Sequence, residues 1–290
     1  MANIKDLKKR IKSTKGTKKI TSAMKLVSAA KLARAQGKIL SLRPYSSELA
    51  ETVKVVSTIT KEYDHEFFKE NTENNNAHVL VVSSDKGLCG GYNTQIVKVV
   101  KKFIKENPEL NLKFHFIGKK VKELIAESVN VGETFVYEKL EPTHDEVRDI
   151  AEKLSQDFSS GEVGKVYVAY NMFYSAMNCE AVLKQALPFS LPKAETKEIK
   201  ESFPFDFKYA PSAEKILDTM VPEVYINTIY TATLDALASE HGMRMVAMDN
   251  ASSNCSDMIK KLTLKMNKLR QAAITTELIE VVSGAESLKG

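Results

Sequence analysis

The sequence predicts an α/β protein in which a long antiparallel coiled coil of the N- and C-terminal helices accompanies a central α/β domain with a mostly parallel five-stranded sheet. Both ends of the 290-residue chain are nearly free of helix-breaking residues. The C-terminal end also repeats core residues in alternating steps of three and four. The middle alternates strand-like and helix-like segments, which is the order of a parallel sheet covered by helices.

The C-terminal segment, residues 211–290, is predicted to form one long coiled-coil helix. Between Ala213 and Val282 it contains a single proline, Pro222, and a single glycine, Gly242. Seventy helical residues span roughly 105 Å at 1.5 Å per residue. Such a helix must extend beyond the rest of the protein, and it needs a partner helix to bury its seam of core residues. This seam is adaptable rather than maximally stable, because Met, Ala, Ser, Thr and Cys hold many of its core positions. The seam series is Met245, Met248, Ser252, Cys255, Ile259, Leu262, Met266, Leu269, Ala273 and Thr276.

The N-terminal segment, residues 1–60, is the other candidate for a long helix, because its only breakers are Gly16, Gly37 and Pro44. Its apolar residues form two trios with helical spacing, separated by a gap around Gly16 that interrupts the phase. We therefore expect a slightly irregular helix that pairs with the C-terminal helix. The trios are Ile4, Leu7 and Ile11, then Ile20, Met24 and Val27.

The central segment, residues 77–188, reads as a Rossmann-like α/β domain. Five strands are predicted, separated by helices over Thr94–Glu106, Lys119–Ser128 and Asp145–Phe158, the last preceded by a capping box of Thr143 and Glu146. Residues 189–210 form a predicted linker and foot. The predicted strands are His78–Ser83, Lys113–Ile117, Glu133–Tyr137, Lys165–Tyr170 and Asn178–Leu187.

Charge is distributed unevenly along the chain. The formal net charge is +5, yet residues 1–43 contain 13 Lys and Arg against the single acid Asp6. The N-terminal helix therefore suits an anionic partner, which could be nucleic acid, a membrane surface or an acidic protein surface. The N-terminus does not resemble a secretory signal, and the apolar runs are too short for a membrane helix.

No catalytic, cofactor-binding or metal-binding pattern is predicted. The loop Asp85–Gly91 follows a strand and opens a helix, as nucleotide loops do, but it matches neither of the glycine-rich phosphate motifs. Cys89 is best interpreted as a buried structural thiol. The three cysteines and five histidines lack disulfide or metal spacing, and a reducing compartment fits.

Three separated segments resemble the gamma subunit of the rotary F-type ATP synthase, in the bacterial form. They are IKDLKKRIKSTKGTKKITSAMKLVSAAKL near the start, SDKGLCGGYN in the middle, and SEHGMRMVAMDNASSN followed by LTLKMNKLRQAAITTELIEVVSGA near the end. Their order and the length of the chain extend the resemblance over the whole sequence. The family's fold, a coiled coil of the two termini with a small α/β body, agrees with the periodicity described above.

The resemblance implies a central rotor shaft that transmits torque between the ion-driven membrane ring and the catalytic beta subunits. The chain would then be a non-catalytic subunit without a cofactor, present in one copy per complex. Its implied partners are the alpha and beta subunits of the catalytic ring, the epsilon subunit and the c subunits of the rotor ring, and not nucleic acid. Its implied location is peripheral, on the cytoplasmic face of the cell inner membrane.

The family pattern also assigns residues to contacts. Contact and coupling with the beta subunits is implied for Met24, Arg244, Arg270 and Gln271. An apolar sleeve at the far end of the ring is implied for Leu278, Ile279, Val281 and Val282. Contact of the foot with epsilon and the rotor ring is implied for Asp206, Phe207, Lys208 and Tyr209.

Two other functions compete with this interpretation. A coiled-coil adaptor with a basic nucleic-acid-binding helix would bind with steep salt dependence. A small α/β enzyme with helical arms would bind a ligand near Gly87–Gly91.

Overall fold

The computed structural model describes residues 4–60, 63–69, 71, 74–137, 141–189 and 208–287. The chain divides into two compact units. The α/β unit is Ala29–Met243, and the helical pair consists of Met1–Ser28 with Arg244–Gly290. Two long helices contribute residues to both units: α1 covers Ile4–Ile59, and α5 covers Ala213–Ser287.

The α/β unit contains a five-stranded sheet within the described residues. The strands lie in the order β3-β2-β1-β4-β5, with β1 to β4 parallel and β5 antiparallel to β4. This arrangement confirms the predicted mostly parallel sheet. The strands are β1 Asn76–Val82, β2 Asn111–Ile117, β3 Asn130–Phe135, β4 Lys165–Phe173 and β5 Cys179–Leu187.

Strands β1 and β2 begin two residues earlier than predicted, because asparagines take part in the first ladder positions. Asn111 Nδ2 donates to Asn76 Oδ1 at 3.1 Å, and the Asn111 backbone N–H donates to the Asn75 carbonyl at 2.8 Å. Asn76 Nδ2 also donates to the carbonyl of Glu162 at 3.1 Å. The polar side chains therefore extend the sheet where apolar alternation gave no signal.

Among the described residues, three shorter helices cover the sheet: α2 Tyr92–Glu106, α3 Lys120–Ile125 and α4 His144–Ser159. Helix α3 is shorter than predicted, because a 3₁₀ turn over Ala126–Ser128 replaces its last turn. The predicted capping box of α4 is confirmed. The Thr143 hydroxyl accepts from the Glu146 backbone N–H at 3.3 Å, and Glu146 Oε2 accepts from the Thr143 N–H at 2.9 Å.

The sheet separates two apolar clusters. On one face, α2 and α3 cover residues such as Phe114 and Phe116. On the other face, α4 packs together with segments of both long helices. Each fully buried Leu, Val or Ile contributes about 1.5–3 kcal/mol of transfer free energy. Both long helices are therefore anchored in the α/β core, through Leu49, Val53 and Val56 of α1 and Leu217, Val221, Tyr225 and Ile229 of α5.

Candidate subunit-contact surfaces

Side-chain contacts fix the direction and register of the helical pair. Lys25 Nζ lies 2.7 Å from Asp249 Oδ1, and the hydroxyl oxygens of Ser22 and Ser252 are 2.9 Å apart. Nearer the N-terminus, the Thr14 hydroxyl lies 3.9 Å from the sulfur of Met258. The partner numbers on α5 fall as the numbers on α1 rise. The two helices are therefore antiparallel, as predicted.

The predicted seam of α5 faces inward. Met248 is buried, and the other positions of the series from Met245 to Ala273 are half-buried, while their neighbours on the opposite face are exposed. Thr276, the last position of the series, is exposed. The alternation of three and four thus located the contact face of this helix correctly over most of its length.

The predicted seam of α1 is wrong in its second half. Ile20 and Val27 are exposed by 63% and 58%, whereas Thr21 and Ser28 are buried. The helix continues through Gly16 without a change of phase, because hydroxyl residues and the stem of Lys25 occupy the core positions there. The inward-facing series is Leu7, Ile11, Thr14, Thr21, Lys25, Ser28, Leu32, Ala35 and Ile39.

This inversion leaves an outward patch on α1 that the sequence interpretation missed. The patch consists of Ile20 and Val27, which lie seven residues apart on one side of α1; Leu26 is 70% exposed but points about 120° away around the helix. Met24 is half-buried beside it. Large apolar side chains gathered on one outer surface indicate a protein contact. If the heptad series that begins with Leu7 and Ile11 is continued through Gly16, Thr21 and Ser28 fall on the inner face and Ile20 and Val27 on the outer face.

Arg270 and Gln271 are exposed on the same helical pair, at some distance from Met24. Because Lys25 faces Asp249, Arg270 lies about 20 residues farther along α5, or about 30 Å at 1.5 Å per residue. The same register places Arg270 near Ile4, where the described part of α1 begins. The structure therefore does not bring Met24 together with Arg270 and Gln271.

The last part of α5 carries exposed apolar residues. Helix α5 continues about 25 Å past the level of Ile4. Leu278, Ile279, Val281 and Val282 are exposed by 60–69%. The described residues of α1 do not reach this level, and exposed apolar side chains gathered at one helix end indicate a contact with another protein.

The remaining predicted contact residues differ in their surroundings. Arg244 is only 8% exposed, so it is a buried cation rather than a surface charge. Lys208 is exposed, and Tyr209 packs against the α/β core. Asp206 and Phe207 lie outside the described residues.

The loop between β1 and α2 is held in place by Asn93 in the first turn of α2. Asn93 Nδ2 donates to the Ser84 hydroxyl at 2.8 Å and lies 3.4 Å from the sulfur of Cys89. Cys89 is 2% exposed. The prediction of a buried structural thiol is confirmed, and this loop closes a strand onto a helix.

Within the described residues, no helix combines the length and apolarity that a membrane crossing requires.

Comparison with known sequences identifies the family. Residues 3–288 match the family model described as ATP synthase. The chain is 39% identical over 292 residues to the ATP synthase gamma chain of Geotalea uraniireducens, and 40% identical over 296 residues to that of Geobacter sp. strain M21. It is 38% identical over 296 residues to the gamma chain of Flavobacterium psychrophilum. All three matches cover 100% of both chains.

Solved structures share the fold at lower sequence identity. A chain of the Euglena gracilis mitochondrial ATP synthase in rotational state 3 matches with a TM-score of 0.66 and 16% identity, over 98% of this chain and 94% of that one. A chain of the Tetrahymena thermophila mitochondrial ATP synthase, from its central stalk and c-ring, gives a TM-score of 0.58 and 23% identity. That match covers 80% of this chain and 99% of the other. These structures share the fold of this chain, and the full-length matches to bacterial gamma chains establish that it belongs to the gamma-chain family of the ATP synthase.

Proposed function

We propose that this chain is the central rotor shaft of an F-type ATP synthase, transmitting torque between the ion-driven membrane ring and the catalytic beta subunits. It serves ATP synthesis or hydrolysis as a non-catalytic subunit, because catalysis lies on the partner beta subunits. Its membership of the gamma-chain family gives no support to the nucleic-acid adaptor. The observation that carries the proposal is the 75-residue helix α5, which pairs antiparallel with α1 and ends in an exposed apolar surface.

A shaft must present different surfaces to the subunits around it. The outward patch of Ile20 and Val27 lies on α1, and the opposite helix of the pair carries the exposed cation of Arg270 about 30 Å away. Subunits of the ring that meet these surfaces gain unequal contact free energies, so each subunit favours a different conformation. Rotation then changes which ring subunit meets which surface.

The contact with the beta subunits is proposed at two levels of the helical pair. At one level, half-buried Met24 and the outward patch offer apolar contacts. At the other level, Arg270 and Gln271 offer exposed hydrogen-bond donors that suit carboxylates. Arg244 is buried, so it would not contact a beta subunit directly. Its proposed part in coupling is to hold the two long helices in the position in which they meet the ring.

The apolar end of α5 would turn inside a sleeve of the ring. Apolar contacts are non-directional and therefore allow rotation without a fixed partner. Burying an exposed Leu, Ile or Val contributes about 1.5–3 kcal/mol. Leu278, Ile279, Val281 and Val282 can thus supply most of the apolar contact at this level.

The foot of the shaft is proposed to involve residues 206–209, in contact with epsilon and the c subunits of the rotor ring. Exposed Lys208 supplies a cation there, and the packing of Tyr209 links this segment to the α/β core. We place one copy of the chain in each complex. We also place the complex peripherally, on the cytoplasmic face of the cell inner membrane.

Reconstitution with purified alpha and beta subunits of a related bacterial synthase tests this function. The chain alone should not hydrolyse ATP, whereas its addition to alpha and beta should yield a stable complex with sustained turnover. The variant Leu278→Ser with Ile279→Ser should weaken assembly, and Glu277→Gln, which changes an exposed polar neighbour, should assemble like the parent. Failure of the parent chain to assemble with alpha and beta would contradict the proposal.

A further inference from the structure

Edge strand β3 contains a bulge opposite His115. Phe114 pairs with Val131, and Phe116 pairs with Thr134, so the register shifts by one residue between them. His115 therefore faces two residues, Gly132 and Glu133. A bulge leaves one backbone group of the ladder without its regular partner.

The side chain of His115 replaces the missing ladder bond. Its Nδ1 accepts from the backbone N–H of Glu133 at 3.2 Å, and the ring is 4% exposed. Gly132 makes room for the ring, because a Cβ built there would lie 2.8 Å from His115 Cε1. An accepting Nδ1 carries no proton, so the imidazole is neutral with its proton on Nε2.

The surroundings of this ring hold it in the neutral form. The ring of His78 on β1 lies 4.5 Å away between centroids, and Phe135 of β3 stacks at 6.2 Å. Neither His78 Nδ1 nor His115 Nε2 has a hydrogen-bond partner among the described residues. Burial, followed by His78 and Lys113, lowers the pKa of His115 to about 4.

The other charged groups come from the elements packed around the two rings. On β3, the carboxylate of Glu133 favours the charged imidazole, but Lys153 of α4 holds it at 2.6 Å and itself opposes protonation. Asp157 of α4 approaches His78 Nε2 at 3.8 Å, which is too long for a hydrogen bond. Glu162 also favours protonation of His78, but burial is the larger effect and lowers the pKa of His78.

We propose that the neutral imidazole of His115 is an acid-sensitive clasp that holds the bulge of edge strand β3 to β2. Protonation of Nδ1 turns the acceptor of the Glu133 N–H bond into a second donor, so the two N–H groups repel and the bulge is released. The clasp is a property of the α/β unit and does not depend on the rotor function.

The sign of the pH dependence follows from the lowered pKa. The folded state binds fewer protons than the unfolded state, whose histidine titrates near 6.5. The stabilisation by the clasp is therefore complete above about pH 6.5 and is lost as the pH falls towards 4. Loss of protection should be greatest in β3, because the central strands do not use this bond; protonation of His78, whose pKa burial also lowers, adds a separate and smaller loss in β1.

Hydrogen exchange of the full chain, read by mass spectrometry and corrected for intrinsic exchange rates, tests the clasp. From pH 7 to pH 4, the protection of peptides covering β3 should fall at least tenfold more than the protection of peptides covering β1. In His115→Gln, whose amide oxygen can accept the same bond without titrating, the fall should be less than about threefold. His144→Gln, at the start of α4 in the same unit, should behave like the parent.

Two further variants separate the clasp from a general loss of stability. Gly132→Ala should displace the ring and lower β3 protection about tenfold already at pH 7. His78→Gln removes a neighbour that opposes protonation, so it should move the midpoint of release to higher pH; this variant decides the question if His115→Gln does not fold. An unchanged midpoint there, an equal fall of β1 and β3, or an equal fall of β3 in the parent and His115→Gln would overturn the proposal.

Discussion

Replacing Asp235 by asparagine is expected to stabilise the α/β unit at neutral pH. Asp235 lies on α5 with a side chain only 6% exposed, and its Oδ1 has no hydrogen-bond partner among the described residues. Burial raises its pKa from the ordinary value of 3.8 to about 6, although Arg43 and Lys184 partly oppose this effect. At pH 7 the folded chain therefore holds a charged carboxylate in unfavourable surroundings.

The size and sign of the effect follow from linkage. A rise of the pKa from 3.8 to about 6 corresponds to about 3 kcal/mol of free energy of unfolding. The folded state binds the extra proton, so this destabilisation is complete above about pH 6 and is relieved as the pH falls towards 4. Asparagine has the shape of the carboxylic acid and no charge, so it should remove up to about 3 kcal/mol of destabilisation at pH 8 and almost none at pH 4.

Urea unfolding of the full chain, followed by near-ultraviolet circular dichroism, measures the difference between parent and Asp235→Asn at both pH values. Asp149→Asn is the matched control, because Asp149 is exposed on α4 of the same unit. The control should differ from the parent by less than about 0.5 kcal/mol at either pH. A variant that is less stable than the parent at pH 8, or equally shifted at pH 4, would refute the account of this carboxylate.

Four other substitutions test three separate parts of the structure. Gly118→Ala should lower the free energy of unfolding in urea by more than about 2 kcal/mol, because Gly118 has φ +85° and a Cβ would collide with the backbone oxygen of Ser83, the residue after β1. Gly16→Ala should instead raise it by up to about 1 kcal/mol, because a Cβ at this helix position meets no other atom. Equal effects of the two variants would be inconsistent with this geometry. Asp249→Asn should cost less than about 1 kcal/mol, because both side chains of its ion pair with Lys25 are substantially exposed and the packed stem of Lys25 is kept; a loss above 2 kcal/mol would show that the pair contributes more than its exposure allows. In assembled membranes, Met24→Lys should lower proton pumping per ATP more than ATP hydrolysis, because a new cation would bind a beta carboxylate in one rotary state; an unchanged pumping ratio would speak against contact at Met24.

The seam of α5 could be predicted because its signal is local and repeated. Residues from Met245 to Ala273 alternate in steps of three and four, and the structure turns these positions inward. The sheet could be predicted for a similar reason, since short apolar runs alternate with amphipathic helices. Both features depend on neighbouring residues along the chain.

The seam of α1 could not be found from hydrophobicity alone. Its core positions between residues 14 and 28 hold Thr14, Thr21, Lys25 and Ser28, so the apolar pattern of Ile20, Met24 and Val27 pointed to the outer face. Small polar residues fit there because the partner helix supplies Ser252 and Met258 for contact. That complementarity is a property of the pair of helices and leaves no periodic apolar signal in one of them.

The bulge of β3 and the buried carboxylate of Asp235 also lay beyond sequence reasoning. His115 alternates like any inward strand residue, and only the shifted pairing of β2 with β3 places its Nδ1 on the Glu133 N–H. Asp235 looks like a surface residue until the packing of α5 is known. The proposed subunit contacts came from the resemblance to the gamma-chain family, because exposed side chains such as Arg270 carry no periodicity that marks a partner.

Single-molecule rotation tests the central claim, that this chain is a rotor, most directly. A complex with the alpha and beta subunits of a related synthase would be fixed to a surface through beta, and a gold rod would be attached at Met177→Cys, a hairpin position that is 88% exposed in the chain. With ATP, the rod should turn continuously in one direction and stop when ATP is exhausted. Sustained ATP hydrolysis with a stationary rod would contradict the account.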